Sequence, residues 1–162
     1  MDVQYVNPFV ESVQELFSTM LGCEARRGKV GLVNGEGNPR DVMALIGLSG
    51  RASGMLTISL PIETALAIAG RMLGTELKVI DSSVSDAVAE MANIVAGSAK
   101  AKLTNGDQEP IDLGLPTVVR GNSYAVDYPS HATWLDVPFT SELGDFSVRV
   151  TFRPKNNNGG GS

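Results

Sequence analysis

The chain has 162 residues, 43% of them hydrophobic and 19% charged, a composition that suits one globular domain with a single core and is not that of a disordered chain. Its net charge is −5, with Lys and Arg scattered along it, which argues against nucleic acid or anionic membrane as a partner. One cysteine, Cys23, leaves no disulfide within the chain; with no basic-then-apolar leader and no apolar run near ~20 residues, the expected compartment is the cytoplasm.

Asn7-Pro8-Phe9 opens a first helix, with Asn7 as the cap and Pro8 at the first helical position, where a missing N–H costs nothing. Phe9, Val10, Val13, Leu16, Phe17, Met20 and Leu21 recur at helical spacing and Gly22 closes the run. So broad an apolar face on a short helix must cover a sheet. Cys23, just beyond, reads as a small core residue and not as a nucleophile. A strand is expected over 24–33, ending in the turn 34–39, and a meander follows over 42–48 and 54–60. Pro61 starts a second helix to about Leu73, with Ile62, Ala65, Leu66, Ala69, Met72 and Leu73 as its buried face and Gly74 as its terminal glycine.

After the link 75–81 comes the longest helix, residues 82–103. Ser83 reads as its N-cap, with Asp86 at capping-box spacing, and Asn105-Gly106 as its stop. At about 100° per residue, Val84, Val88, Met91, Val95 and Ser98 share one stripe. Asp86, Glu90, Asn93, Gly97 and Lys100 share the opposite face, flanked by Ala89 and Ala96. Polar helix faces are ordinarily just solvated, and on the pattern alone Gly97 could pack under a loop. Four strands are expected beyond, over 113–119, 123–127, 133–139 and 146–152. Residues 1–154 thus make one α+β domain, a mainly antiparallel sheet covered by helices, the long one central. Residues 155–162, rich in Asn and Gly, form a flexible tail. Exposed sheet edges make a homodimer by edge pairing plausible.

Most catalytic equipment is missing. His131 is the only histidine, which rules out multi-histidine metal sites within the chain and leaves a single imidazole for any Ser-His-Asp or Cys-His arrangement; beside Trp134 it reads as structural. No glycine-rich phosphate loop runs from a strand into a helix. Asp86 and Glu90 form the best carboxylate pair, yet an exposed helix face offers nothing to raise a pKa for acid work. Asn93 takes no proton, but a carboxamide orients a water by donating one hydrogen bond and accepting another. Chemistry on Glu90 and Asn93 therefore needs electrophile, metal and charge stabilisation to come with the substrate.

The spacing Asp86-xxx-Glu90-xx-Asn93, followed by 22 residues and then Pro116, resembles the signature of the CheC/CheX/FliY phosphatases. The single copy is most similar to CheX. The second helix has Glu63 followed by Leu66 where Asn would be needed, so it departs from the pattern. The resemblance implies a phosphatase, acting on the aspartyl phosphate of a CheY-like response regulator. Asn93 and Glu90 would be catalytic, the first aligning water and the second pairing with the receiver's lysine. Asp86, Ala89, Gly97 and Pro116 would belong to the partner-binding surface. It implies no cofactor on this chain, with Mg²⁺ held by the receiver. The alternative is a binding module that docks on a receiver or flagellar switch protein without hydrolysis.

Overall fold

The computed structural model describes residues 3–34, 41–50, 52–104, 111–121 and 133–154. A 3-10 turn, Val3–Val6, runs directly into α1 (Asn7–Leu16), which continues as a π-helical turn, Phe17–Leu21. Asn7 is therefore not a cap. Val6 before it is already helical, with no side-chain cap, and a capping side chain is needed only where the chain enters from extended backbone. Gly22, at φ 68°, ends the turn in the left-handed region. The expected apolar face is buried except Met20, which is 48% exposed. It packs along the third helix and reaches the sheet at its edge and, through Phe17, at its last strand.

The strands are β1 (Ala25–Arg27), β2 (Gly31–Asn34), β3 (Val42–Gly50), β4 (Ala52–Leu60), β5 (Ile111–Leu113), β6 (Thr117–Arg120), β7 (Thr133–Ser141) and β8 (Phe146–Pro154). They form one antiparallel sheet in the order β1-β7-β8-β4-β3-β5, with β2 also on β7 and β6 also on β3. The expected β3–β4 meander is present, with Val42 opposite Leu60 and Leu48 opposite Gly54.

Two expected single strands are split, both beside proline. The 24–33 run breaks between β1 and β2, where Pro138 of β7 lies alongside. Proline has no N–H to continue the ladder; its carbonyl instead accepts from Gly28 N at 2.7 Å. A Cβ on Gly28 would lie 2.9 Å from the Pro138 ring. The 113–119 run breaks at Gly114-Leu115-Pro116, leaving β5 and β6 as separate pieces on the edge of β3. The expected strand 123–127, His131, the Asn105-Gly106 stop and the tail lie outside the described residues, as does most of the 34–39 turn.

Helix α2 (Ile62–Leu73) begins after extended Pro61, with Ile62 N donating to Asp41 Oδ2 at 3.1 Å, and ends at Gly74. Its buried residues are Thr64, Ala65, Ile68 and Ala69, whereas Ile62 and Leu73 are 41% and 50% exposed. The buried face is turned from the expected one because α2 packs against both the sheet and α3 (Ser82–Leu103), and its small residues permit the closer approach. The Thr64 hydroxyl is accommodated there by donating to Asp145 O at 2.9 Å. Between the helices and the inner sheet face lies the core, with Val42, Ile46, Ile58, Leu135, Val137 and Val148 all within 1% exposure. The fold is α+β, as expected.

Candidate functional site

The candidate site stands on α3, so the placement of that helix comes first. Asp81, not Ser83, is the N-cap: it is extended (φ −132°, ψ −168°) and its Oδ1 accepts from Ser83 N at 2.9 Å and Val84 N at 3.3 Å. Asp81-Ser82-Ser83 offers three good capping residues in a row, so composition could not choose among them. The backbone turn decides, and it places Asp86 too far along for a capping box. Asp81→Ala is expected to lower stability by about 1 kcal/mol, read from the shift in the urea midpoint, with Asp81→Ser largely restoring it. At the other end, Thr104 N donates back to Lys100 O at 3.0 Å.

Half of the helix surface is locked in the core. Val84, Ala87, Val88, Met91, Ala92, Val95, Ala96 and Ala99 are buried, an arc of about 180°. The arc is wider than the expected stripe because α3 lies on the sheet with α1 along one flank and α2 along the other. Ala96, expected at the margin of the polar face, is consequently 1% exposed, and Ser98 is only half-buried. On the α1 flank, Glu15 accepts from Lys102 Nζ at 2.7 Å and from Ser98 Oγ at 3.3 Å. The Lys102 ammonium holds the Glu15 carboxyl below its ordinary pKa, against a smaller opposing effect of desolvation.

On the outward side, Asp86, Glu90 and Asn93 are exposed and Ala89 and Gly97 are half-buried. Among the described residues, the side chains of Asp86, Glu90 and Asn93 have no hydrogen-bond or ion-pair partner. Glu90 and Asn93 are three residues apart, which sets their Cβ atoms about 5–6 Å from one another. Among the described residues no loop covers Gly97: a Cβ built on it meets nothing within 4 Å. A glycine in a helix interior costs up to about 1 kcal/mol relative to alanine, and no contact among the described residues repays that here. Gly97→Ala is therefore expected to raise the thermal midpoint, by the equivalent of roughly 0.5–1 kcal/mol, measurable by circular dichroism. An unchanged or lowered midpoint would show that the glycine has a packing role.

Pro116 does not join this face. It sits half-buried in the link between β5 and β6, on the sheet edge that flanks α3, beside Leu115 at 90% exposure. It interrupts that edge by removing an N–H from the ladder with β3. The structure thus gathers Asp86, Ala89, Glu90, Asn93 and Gly97 on one helix face and puts Pro116 on the neighbouring sheet edge.

Other parts of the molecule offer less chemistry. Burial pushes the Cys23 thiol above its ordinary pKa, the Glu142 carboxylate adds to this and Arg71 opposes it, so the thiolate needed for nucleophilic work is disfavoured. No three His, Cys, Asp or Glu side chains among the described residues gather closely enough to hold a metal ion. An open cleft of about 680 Å³ between α2 and the Thr75–Leu77 link, floored by Leu66, Ala67, Gly70 and Leu143, contains none of the α3 residues above. Glu63 also lines it. Among the described residues, no helix is long and apolar enough to cross a membrane.

A family model described as "Chemotaxis phosphatase CheX" matches residues 42–140, a span that includes all of α3 and Pro116. Similar solved structures include a CheC-like superfamily protein from Shewanella sp. PV-4, 32% identical, covering 94% of this chain and 99% of that one with a TM-score of 0.84. The chemotaxis protein CheX from Vibrio vulnificus is 29% identical, with 93% and 100% covered and a TM-score of 0.83. A CheX–CheY–BeF3–Mg²⁺ complex from Borrelia burgdorferi matches at 26% identity, 94% and 99% coverage and a TM-score of 0.77. No curated protein matches the sequence.

Proposed function

The chain belongs to the CheX family of chemotaxis phosphatases, and on that premise we propose that it hydrolyses the aspartyl phosphate of a CheY-like receiver domain, with Asn93 orienting the attacking water and Glu90 pairing with the receiver's lysine. The observation that carries this reading is the exposed pair Glu90 and Asn93, without a side-chain partner among the described residues and one turn apart on a helix whose other half is locked in the core. A rigid helix holds such a pair at fixed spacing, and alignment is what phosphoryl transfer to water needs.

The step is a displacement at phosphorus. Asn93 accepts a hydrogen bond from the water through Oδ1 and donates through Nδ2 towards the phosphoryl group, setting the water oxygen in line with the scissile P–O bond. A new P–O bond forms to water, and the aspartyl carboxylate leaves with the electron pair. The water's proton passes to solvent, giving inorganic phosphate. Charge neutralisation at the phosphoryl oxygens would come from Mg²⁺ held by the receiver. Glu90 meets the receiver's lysine in a charge-assisted contact that sets the approach of the helix. Asp86 adds a peripheral polar contact, and Ala89 and Gly97 keep the surface low enough for close docking. Pro116 shapes the sheet edge beside it.

The complex from Borrelia burgdorferi, in which a CheX is bound to a CheY, supports the choice of partner. The same reading places the protein in the cytoplasm, where such receivers work, and allows a homodimer joined at a sheet edge. The test is a receiver phosphorylated by a small phosphodonor with Mg²⁺. Adding this protein in catalytic amounts accelerates phosphate release, whereas complex formation without acceleration would make it a binding module instead.

A further inference from the structure

Two lysines close the C-terminal part of α3, and the structure puts them to different uses. Lys102 is turned to the α1 flank and paired with Glu15 at 2.7 Å. Lys100 precedes it by two residues, about 200° away around the helix, on the outward face shared by Asn93 and Gly97. Among the described residues its ammonium has no partner; only its backbone carbonyl is engaged, by Thr104. The docking face is therefore electrically asymmetric. Among the described residues, its N-terminal half carries the carboxylates Asp86 and Glu90 without partners, nothing lies over Gly97 in its middle, and its far end carries one cation without a partner. Ten residues of helix separate Glu90 from Lys100, about 15 Å. That exceeds the Debye length of about 10 Å at 0.1 M salt, so a partner meets the two charges as separate contacts.

Resting on the phosphatase reading above, we infer that Lys100 is a docking residue: its ammonium meets an acidic side chain of the receiver about 15 Å along α3 from the Glu90 contact, and so fixes which way round the receiver lies on the helix. One charged contact leaves a partner free to pivot about it. Two contacts of opposite sign define a direction, and a receiver with a cation at the second position is repelled. Lys100 thus selects among receivers that all carry the lysine Glu90 needs. It touches the partner away from the phosphoryl group, so its effect falls on docking and leaves the chemical step alone.

The test uses the full chain and a CheY-like receiver of the same organism, with KM and kcat for phosphate release measured at low and at high salt. Lys100→Gln is expected to raise KM about two- to fivefold at low salt, the scale of an exposed ion pair, with kcat unchanged and the difference shrinking at high salt. Lys100→Glu raises KM further, and Lys100→Arg retains it. Lys102→Gln breaks the pair with Glu15 and leaves KM alone. If Lys100→Glu has the KM of the parent, or Lys102→Gln shifts KM equally, the docking role is overturned. A lowered thermal midpoint with unchanged KM would likewise reduce Lys100 to a cation at a helix C-terminus. Should the parent itself fail to accelerate phosphate release, the phosphatase reading falls on its own. Affinity of the same variants for the receiver carrying BeF3 and Mg²⁺ then still decides the role of Lys100.

Discussion

Asn93→Ala is expected to reduce acceleration of phosphate release about a hundredfold while leaving receiver affinity within a few-fold of the parent. The size follows from losing the alignment of one reactant, which costs on the order of 10²-fold when geometry is displaced by about 1 Å. The separation of rate from affinity follows from position, since Asn93 meets a water and Glu90 meets the partner. Glu90→Ala should therefore show the opposite balance, a weakened complex first and a lowered maximal rate second. Neither change threatens the fold. Both side chains are exposed and have no partner among the described residues, and such surface substitutions fall within about 0.5 kcal/mol. Asn93→Asp keeps the shape of the side chain but removes its N–H donors and adds a negative charge beside the phosphoryl group, so it should be as inactive as the alanine variant. If Asn93→Ala hydrolyses phosphate as fast as the parent, Asn93 does not orient the water. A large loss of affinity with little loss of maximal rate would make it an anchor.

The largest expected effect on stability comes from Phe146→Ala. Its ring is sandwiched, stacked on Phe139 with centroids 5.1 Å apart and on Phe17 with centroids 5.2 Å apart. Phe139 and Phe146 are directly paired across the β7–β8 hairpin, whereas Phe17 begins the π-helical turn after α1. One side chain thus ties the end of the first helix to the centre of the sheet. Removing a buried aromatic ring costs about 3–5 kcal/mol, against a total of about 5–15 kcal/mol for a typical domain. The urea midpoint should fall by about 2 M, and Phe146→Leu should recover most of it. A shift equivalent to less than about 1 kcal/mol would mean that the neighbouring rings collapse into the space without loss.

The candidate site was largely legible in the sequence because its parts sit on one helix. A period of 3.6 residues is a property of the backbone, so 86, 90, 93 and 97 share a face whatever that helix packs against. The α+β class, the β3–β4 meander and the span of α2 were legible for a related reason: each is written in short-range alternation and in punctuation by Pro and Gly. What the flanks of α3 would meet was not legible. Ala89 and Ala96 look alike in sequence, but only Ala96 falls inside the arc that the neighbouring helices close over.

Tertiary structure alone decided the rest, wherever the determining atom lies far away in the chain. The break in the first expected strand is set by Pro138, 110 residues beyond Gly28, and the entry into α2 by the carboxylate of Asp41, 21 residues upstream of Ile62. The buried face of α2 turns towards its smaller residues because α3 and the sheet compete for it. Gly97 is the reverse case. Its glycine is plain in the sequence, but its openness is a fact about space that none of the described residues fills. By itself the sequence determined which residues α3 turns the same way, since local geometry carries that. Folding determined that this side is the bare one, because burial is settled by contacts between segments distant along the chain.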